Sequence, residues 1–547
     1  MLPRQLIEKM SLMEKLGQLL MVGFAGQEVT ADVRELIEKY QVGGVIFFRR
    51  NLTDPRQAAK LSRELQKLSL QQHGIPLQHG IPLFIAADEE GGSVTRVAGM
   101  THFPGVMAQG AACSPEVTTS LAAAKAAQLK YLGINFNLAP VLDVNNNPDN
   151  PIIGNRSFGS DPGMVAELGQ AYLQGLQQEG VLACGKHFPG HGDTAVDSHL
   201  ELPVINHAKE RMEKVELRPF RAAITAGIDS IMTAHIAYPG LIDEAERPAT
   251  VSPEILTGLL RNELGFEGII ITDCMEMDGI RKTRGTISGA LESLQAGSDQ
   301  ILVSHSRSRQ IEVLKRLEQA ARQGDLSQER INRSLIRILT AKQQRLDWQE
   351  KPGFSRQHFH KLHQQGDEIA EEVSARAITL LADSRNRLPL RPGRNEEFLL
   401  LELSQKQVRP VENQDDDKAR SLIKLLRKEL SARGFNVREN SFISGGSQNS
   451  AAARLKPGET GAVLVLVDNL MKLQNKNGSR PAELRQIIKR FSSNVVIICT
   501  GSPYYIPPLP PVPVLATYDS SSVHAKPLVR LLLGEEEFKG RPPVEIK

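Results

Sequence analysis

From residue 19 to about 305 the chain repeats one unit eight times, a short β-branched or apolar run followed by a helical pattern. The runs are LLMVGF at 19–24, GGVIFF at 43–48, LFIAAD at 83–88, INFNLAP at 134–140, VLACGKH at 181–187, IDSIMTAH at 228–235, GIIITD at 268–273 and DQILVSH at 299–305. Alternation of this kind builds βα units around a parallel sheet. Eight units are the number that closes a barrel of about 250 residues or more. Helix starts are marked by Ser11 with Glu14 three residues on, by Asp161 before Pro162 and by Ser252 before Pro253, with Gly265 ending the last of these. The expected fold is α/β: an N-terminal (β/α)8 TIM-like barrel followed by a smaller C-terminal α/β sandwich domain.

In such a barrel the C-terminal strand ends share one face, and chemistry sits there. The residues at those ends are Arg49 and Arg50, Asp88, Asp143, Lys186 and His187, His235, Asp273 and His305. After a helix over about 328–345, KPGFSRQHFHKLHQQGDE loses strand signals and reads as a linker plus a solvated helix, which also accounts for His358, His360 and His363. The boundaries are therefore 1–350 for the barrel, 351–372 for the linker and 373–547 for the second domain. In the latter, AITLLAD, EFLLLEL, GAVLVLVD, NVVIICT and VPVLATYD alternate with charged helices such as DDDKARSLIKLLRKEL. The tandem QHGIPL at 72–77 and 78–83 reads as a lengthened loop, and PPLPPVP at 507–513 as a stiff one.

Composition removes several classes of function. With 66 Lys plus Arg against 63 Asp plus Glu, the net charge of +3 gives no electrostatic footprint for nucleic acid. No apolar run approaches the roughly 18 residues of a membrane span, and the N-terminus mixes charges into its apolar periodicity. Cys113, Cys184, Cys274 and Cys499 lie far apart with no CxxC pairing, so neither a disulfide framework nor a zinc ribbon is suggested. A reducing, cytoplasmic setting is expected, or a secreted one if an export segment has been removed. Aromatics at 5% leave little sign of a sugar-stacking platform.

The densest chemistry lies in KHFPGHGDTAVDSH, residues 186–199. If this loop is extended, Asp197 and His199 point the same way. A carboxylate on one ring nitrogen fixes the tautomer and makes the other a usable proton donor and acceptor near neutral pH. A loop-stabilising hydrogen bond reads equally well from the pair alone. Asp273 ends an almost wholly apolar strand, as a reacting carboxylate or as a helix N-cap. In DEEGGSVTR, residues 88–96, Gly91-Gly92 lets the backbone turn so that Arg96 can fold back towards Asp88. In DVNNNPDNPIIGNRSFG, residues 143–159, Arg156 is the one strong cation on a long loop of the kind that builds substrate walls.

At these residues the sequence resembles glycoside hydrolase family 3, in its β-N-acetylglucosaminidase branch. KHFPGHGDTAVDSH matches that branch's KHFPGHG-x3-DSH signature, and NPIIGNRSFG, DEEGG-x3-R and the TD-containing strand fall in the family's order. The resemblance implies Asp273 as nucleophile, His199 as acid/base and Asp197 as its partner. It implies sugar-binding roles for Asp88, Arg96, Arg156, Lys186 and His187, with no metal and no cofactor. The implied substrate is a small carbohydrate carrying terminal β-linked N-acetylglucosamine, from muropeptides or chitooligosaccharides, with no nucleic acid or membrane partner. Because this branch carries its acid on a barrel loop, the second domain is expected not to be catalytic. Two positions depart from the family pattern: Glu89 stands where Gln is common, and Ser93 where Arg is common.

A retaining glycosidase needs two differently tuned groups, an ionised nucleophile and a protonated acid. Because a neutral imidazole does not repel an incoming anion, phosphate could compete with water in the second step, making phosphorolysis an alternative to hydrolysis. Other readings of the same residues are a family 3 β-glucosidase, a metal hydrolase built on His187, His191, Asp193, Asp197 and His199, a Schiff-base enzyme using Lys186, and a non-catalytic sugar binder.

Overall fold

The structure, a computed structural model, describes residues 3–71, 80–195, 202–242, 244–346, 353–393, 396–404, 421–443, 460–467, 480–491, 494–504 and 511–546. Asp197, His199, the first QHGIPL copy and most of PPLPPVP lie outside them.

Eight parallel strands close into a barrel in sequence order: β1 Leu20–Val22, β2 Gly44–Phe47, β3 Phe84–Ala87, β4 Phe136–Asn137, β5 Leu182–Phe188, β6 Ser230–Thr233, β7 Ile269–Cys274 and β8 Gln300–Val303. Each falls within or across one of the eight apolar runs. The strands are buried along nearly their whole length, because helices cover the outside and side chains fill the inside. The helix signals act as local chemistry requires. Ser11 and Glu14 form a capping box on Leu12–Gln18, and Asp161 accepts from the amide of Met164 at the start of Pro162–Gln178.

The second domain is a six-stranded sheet with order β11-β10-β12-β13-β14-β9. Its strands are β9 Thr379–Ala382, β10 Glu397–Ser404, β11 Asn436–Ile443, β12 Thr460–Val467, β13 Val495–Cys499 and β14 Val514–Ala516. Among the described strands only β9 runs antiparallel, at one edge. Alternate residues separate two cores. Leu399, Leu401, Val463, Val465 and Ile497 pack against helix Arg480–Phe491 and against Met107, Ala108 and Ala111 of the barrel's helix Val106–Ala112. Leu400, Leu464, Leu466 and Ile498 pack under helices Leu422–Ala432 and Ala525–Leu532.

Sequence reasoning missed β11. NVRENSFI is a polar edge strand, and a strand with one free edge has no need of a continuous apolar run. The stretch read as linker plus solvated helix is helix Arg356–Ala377, which buries Phe359, Gly366, Ala370, Val373, Ser374 and Ala377 along one stripe. It is solvated on one side only. His358 packs tilted against Tyr131 with ring centroids 4.8 Å apart, and His363 pairs with Asp367 at 3.0 Å.

Candidate active site

Residues 88–90, which leave β3, and Lys186 in β5 meet at the C-terminal face. Lys186 Nζ lies 2.7 Å from Asp88 Oδ1 and 2.7 Å from Glu90 Oε1. Arg156 grips Glu90 with two donors, Nε to Oε2 at 2.9 Å and Nη2 to Oε1 at 2.7 Å. Arg96 Nη2 stands 3.8 Å from Asp88 Oδ2. Burial separates the two carboxylates: the Glu90 side chain is 1% exposed and that of Asp88 18%. Glu90 is the internal hub, and Asp88 is the one with an accessible side.

The electrostatics keep Glu90 and Lys186 charged. Burial pushes the Glu90 carboxyl up, but the neighbouring charges of Arg156 and Lys186 outweigh it and hold the group far below the usual carboxylate range. Burial likewise pulls Lys186 down, and Asp88 and Glu90 more than restore it. A lysine held protonated between two carboxylates is the opposite of a Schiff-base nucleophile, which needs a depressed pKa.

Asp143 and His187 form a second buried unit. Asp143 Oδ1 accepts from the backbone N–H groups of His187 at 3.1 Å and His191 at 2.7 Å, while Oδ2 lies 2.7 Å from His187 Nδ1. The His187 charge, with its hydrogen bond, offsets the burial of Asp143 and lowers its pKa. An ionised carboxylate only accepts, so Nδ1 of His187 carries the proton and Nε2 is left for another partner. His191 is pushed down to about 4, first by burial and then by His187.

Asp273 sits at the end of β7, with Oδ1 accepting from the amide of Cys274 at 2.7 Å. The next turn is fixed from β6. His235 Nε2 donates to the Cys274 carbonyl at 3.0 Å, and Nδ1 lies 2.8 Å from the Thr250 hydroxyl. Both ring nitrogens of His235 are thereby occupied, so it orients the strand end that carries Asp273. Arg50, another strand-end residue, ties loops together by donating to the Phe24 and Ser304 carbonyls.

The Glycosyl hydrolase family 3 N terminal domain profile matches residues 11–341, more than half of the chain. The chain belongs to glycoside hydrolase family 3. The Beta-hexosaminidase A of Pseudoalteromonas piscicida is 38% identical over 333 residues, 57% of this chain and 55% of that protein, so the match spans about half of that relative's length. The Beta-hexosaminidase of Tolumonas auensis is 37% identical over 299 residues, 54% of this chain and 85% of that one. A solved glycoside hydrolase family 3 beta-N-acetylglucosaminidase from Paenibacillus sp. str. FPU-7 superposes with a TM-score of 0.87 at 36% identity, covering 98% of this chain and 99% of that chain.

The family 3 barrel thus brings together Asp88, Arg96, Arg156 and Lys186, puts His187 on Asp143, and carries Asp273 on a separate strand end. Asp197 and His199 lie outside the described residues. Sequence reasoning missed Glu90 as the hub. Its one signal was the second Glu of DEEGG, which had to face the Arg and Lys expected around it. The departure at Glu89 is absorbed inside the protein. Its Oε2 accepts from the Arg96 amide at 2.7 Å, and buried Lys125 donates to the carbonyls of Glu89 and Glu90 at 3.1 and 2.6 Å. Burial lowers Lys125 to about 8 and raises Glu89.

The metal-hydrolase reading does not gather its ligands among the described residues. His187 turns to Asp143, His191 Nδ1 lies 3.1 Å from the Thr194 hydroxyl, and Asp193 Oδ2 lies 2.6 Å from His207 Nε2. One described trio, Cys274, Glu276 and His305, has ligand atoms within 4.8 Å of one another. Its carboxylate is already engaged, accepting from the amides of His305 and Ser306 and from Arg309 at the start of helix Arg307–Gln323. It therefore reads as a helix cap.

Proposed function

We propose that the protein is a retaining exo-β-N-acetylglucosaminidase that removes terminal β-linked N-acetylglucosamine from peptidoglycan-derived muropeptides or related oligosaccharides. The observation that supports this most is the charged cluster of Asp88, Glu90, Arg156 and Lys186 on the barrel face that also carries Asp273. Hydroxyls are held best by fixed, ionised donors and acceptors whose own positions are already paid for by folding. Asp88 is the accessible acceptor for two neighbouring hydroxyls, and His187, held through Nδ1 by Asp143, offers Nε2 to a further polar group of the sugar.

In the first step the Asp273 carboxylate attacks the anomeric carbon while the glycosidic bond breaks and His199 gives its proton to the leaving oxygen. In the second, His199 takes a proton from water, the water oxygen bonds to the anomeric carbon, and Asp273 leaves. Asp197 fixes the His199 tautomer and favours its protonated form. Asp273 keeps its approach because the Cys274 amide and the His235–Thr250 pair hold the strand end.

Asp273→Ala should abolish turnover of a natural disaccharide and of 4-nitrophenyl N-acetyl-β-glucosaminide alike. His199→Ala should slow the disaccharide by about 10²- to 10⁴-fold, the usual reach of general acid catalysis, and the activated substrate far less. Equal losses on both substrates would remove the acid role. A preference for nitrophenyl glucoside would move the enzyme to the β-glucosidase branch.

A further inference from the structure

The segment after β14 crosses from the second domain to the barrel and touches both substrate loops. Tyr518 is buried with φ +67, a left-handed conformation that a tyrosine holds only when its surroundings impose it. Its hydroxyl lies 2.7 Å from Thr379 Oγ1. Its carbonyl accepts from Asn155 Nδ2 at 2.8 Å, and Asn155 immediately precedes the Arg156 that grips Glu90.

One residue on, Asp519 Oδ2 accepts from the Gly105 amide at 2.7 Å. A Cβ on Gly92 would stand 2.7 Å from Gly105 Cα and 3.3 Å from Asp519 Oδ2, so the turn after Glu90 is pressed against this carboxylate and tolerates only glycine. Ser521 Oγ lies 3.2 Å from His102 Nε2, which donates to the Gly92 carbonyl at 3.0 Å. Asp519 is itself fixed by the Ser521 amide at 2.7 Å and by His524 Nε2 at 3.2 Å. His524 Nδ1 in turn lies 2.7 Å from the Ser374 hydroxyl in helix Arg356–Ala377.

We propose that residues 518–521 are a shared positioning anchor for the two barrel loops that carry Glu90 and Arg156, so that the second domain sets substrate affinity while supplying no reacting group. The proposal rests on the reading that Asp88, Glu90 and Arg156 hold the sugar. It follows from where the bonds end: one on Asn155 next to Arg156, the others on Gly105 and His102, which both pack on Gly92 two residues past Glu90. A Glu–Arg fork at 2.7–2.9 Å spans two loops, and holding both from one rigid segment sets their separation.

The test uses the full chain with 4-nitrophenyl N-acetyl-β-glucosaminide. Asn155→Ala and Ser521→Ala each delete one tie, and each should raise KM by about three- to tenfold, the effect of one lost hydrogen bond, with more in the double variant. Turnover number should stay within about twofold, and Ser521→Thr, which keeps the hydroxyl, should restore KM. Unchanged KM in both folded single variants, or a loss confined to thermal stability, would overturn the anchor. Arg156→Ala assayed in parallel separates the two readings. Raised KM there with unchanged KM in the tie variants overturns the anchor alone. Unchanged KM there with raised KM in the tie variants overturns the role of Arg156 and upholds the anchor.

Discussion

His191 shows at the scale of one residue how the loop that follows β5 ties stability to pH. It is 3% exposed, its backbone amide feeds Asp143, and its ring meets that of His187 edge-on at 5.6 Å between centroids. Burial and the nearby His187 lower its pKa from 6.5 to about 4. The folded state therefore binds a proton less readily than the unfolded chain. The stabilising effect is complete above pH 6.5, declines as pH falls towards 4, and is absent below that, a total of up to about 3 kcal/mol. His191→Asn should flatten this acid limb in denaturant titrations at pH 4–7, and a slope equal to that of the parent would count against it. Glu89 gives the complementary lesson. Its extra charge is visible in the sequence at a position where the family commonly has Gln, but that it would point inward onto the Arg96 amide is not, because neighbouring residues in a tight turn do not reveal which way each side chain faces.

Among elements, the barrel divides its labour between its two ends. Asp299, just before β8, lies at the end opposite Asp273 and is fully buried. Arg261, Arg330 and Arg337 all pair with it, and Ser334 donates to it at 2.7 Å. Arg261 is pulled down to about 10 by burial, against the attraction of Asp299. Removing the one anion leaves three cations facing each other, so Asp299→Ala should cost about 3–5 kcal/mol of stability. Activity per folded molecule should be unchanged, because none of these groups reaches the C-terminal face. A fall in kcat/KM larger than the fall in folded fraction would contradict that division. The elements themselves were legible where both faces of a strand are buried, as in GVIF or IIIT, since such strands must be apolar throughout. They were not legible in β11, a polar sequence at the edge of its sheet, or in helix Arg356–Ala377, whose histidines and glutamines conceal a stripe of Phe359, Gly366, Ala370 and Val373.

For the whole molecule, the second domain is joined to the barrel by the apolar contact of helix Val106–Ala112 and by the buried polar chain from Gly105 through Asp519 and His524 to Ser374. The charge and hydrogen bonds of His524, with those of Ser521 and Gly105, outweigh burial and hold Asp519 at a pKa of about 2. Asp519→Ala would leave the Gly105 and Ser521 amides and the His524 ring without their acceptor. The cost should be about 3 kcal/mol or more. Calorimetry should then resolve two transitions in place of one, as the second domain melts before the barrel; a single transition at the parent temperature would refute this coupling. What the sequence alone determined is the barrel, its eight strands and the residues at their ends, because burial on two faces and the chemistry of caps and turns are local rules written in consecutive residues. The hub role of Glu90, the pairing of His187 with Asp143 and the clasp of Asp519 on Gly105 were decided only by the tertiary structure. Each joins residues tens to hundreds of positions apart, and which buried charge meets which partner depends on the directions that packed elements impose on their side chains.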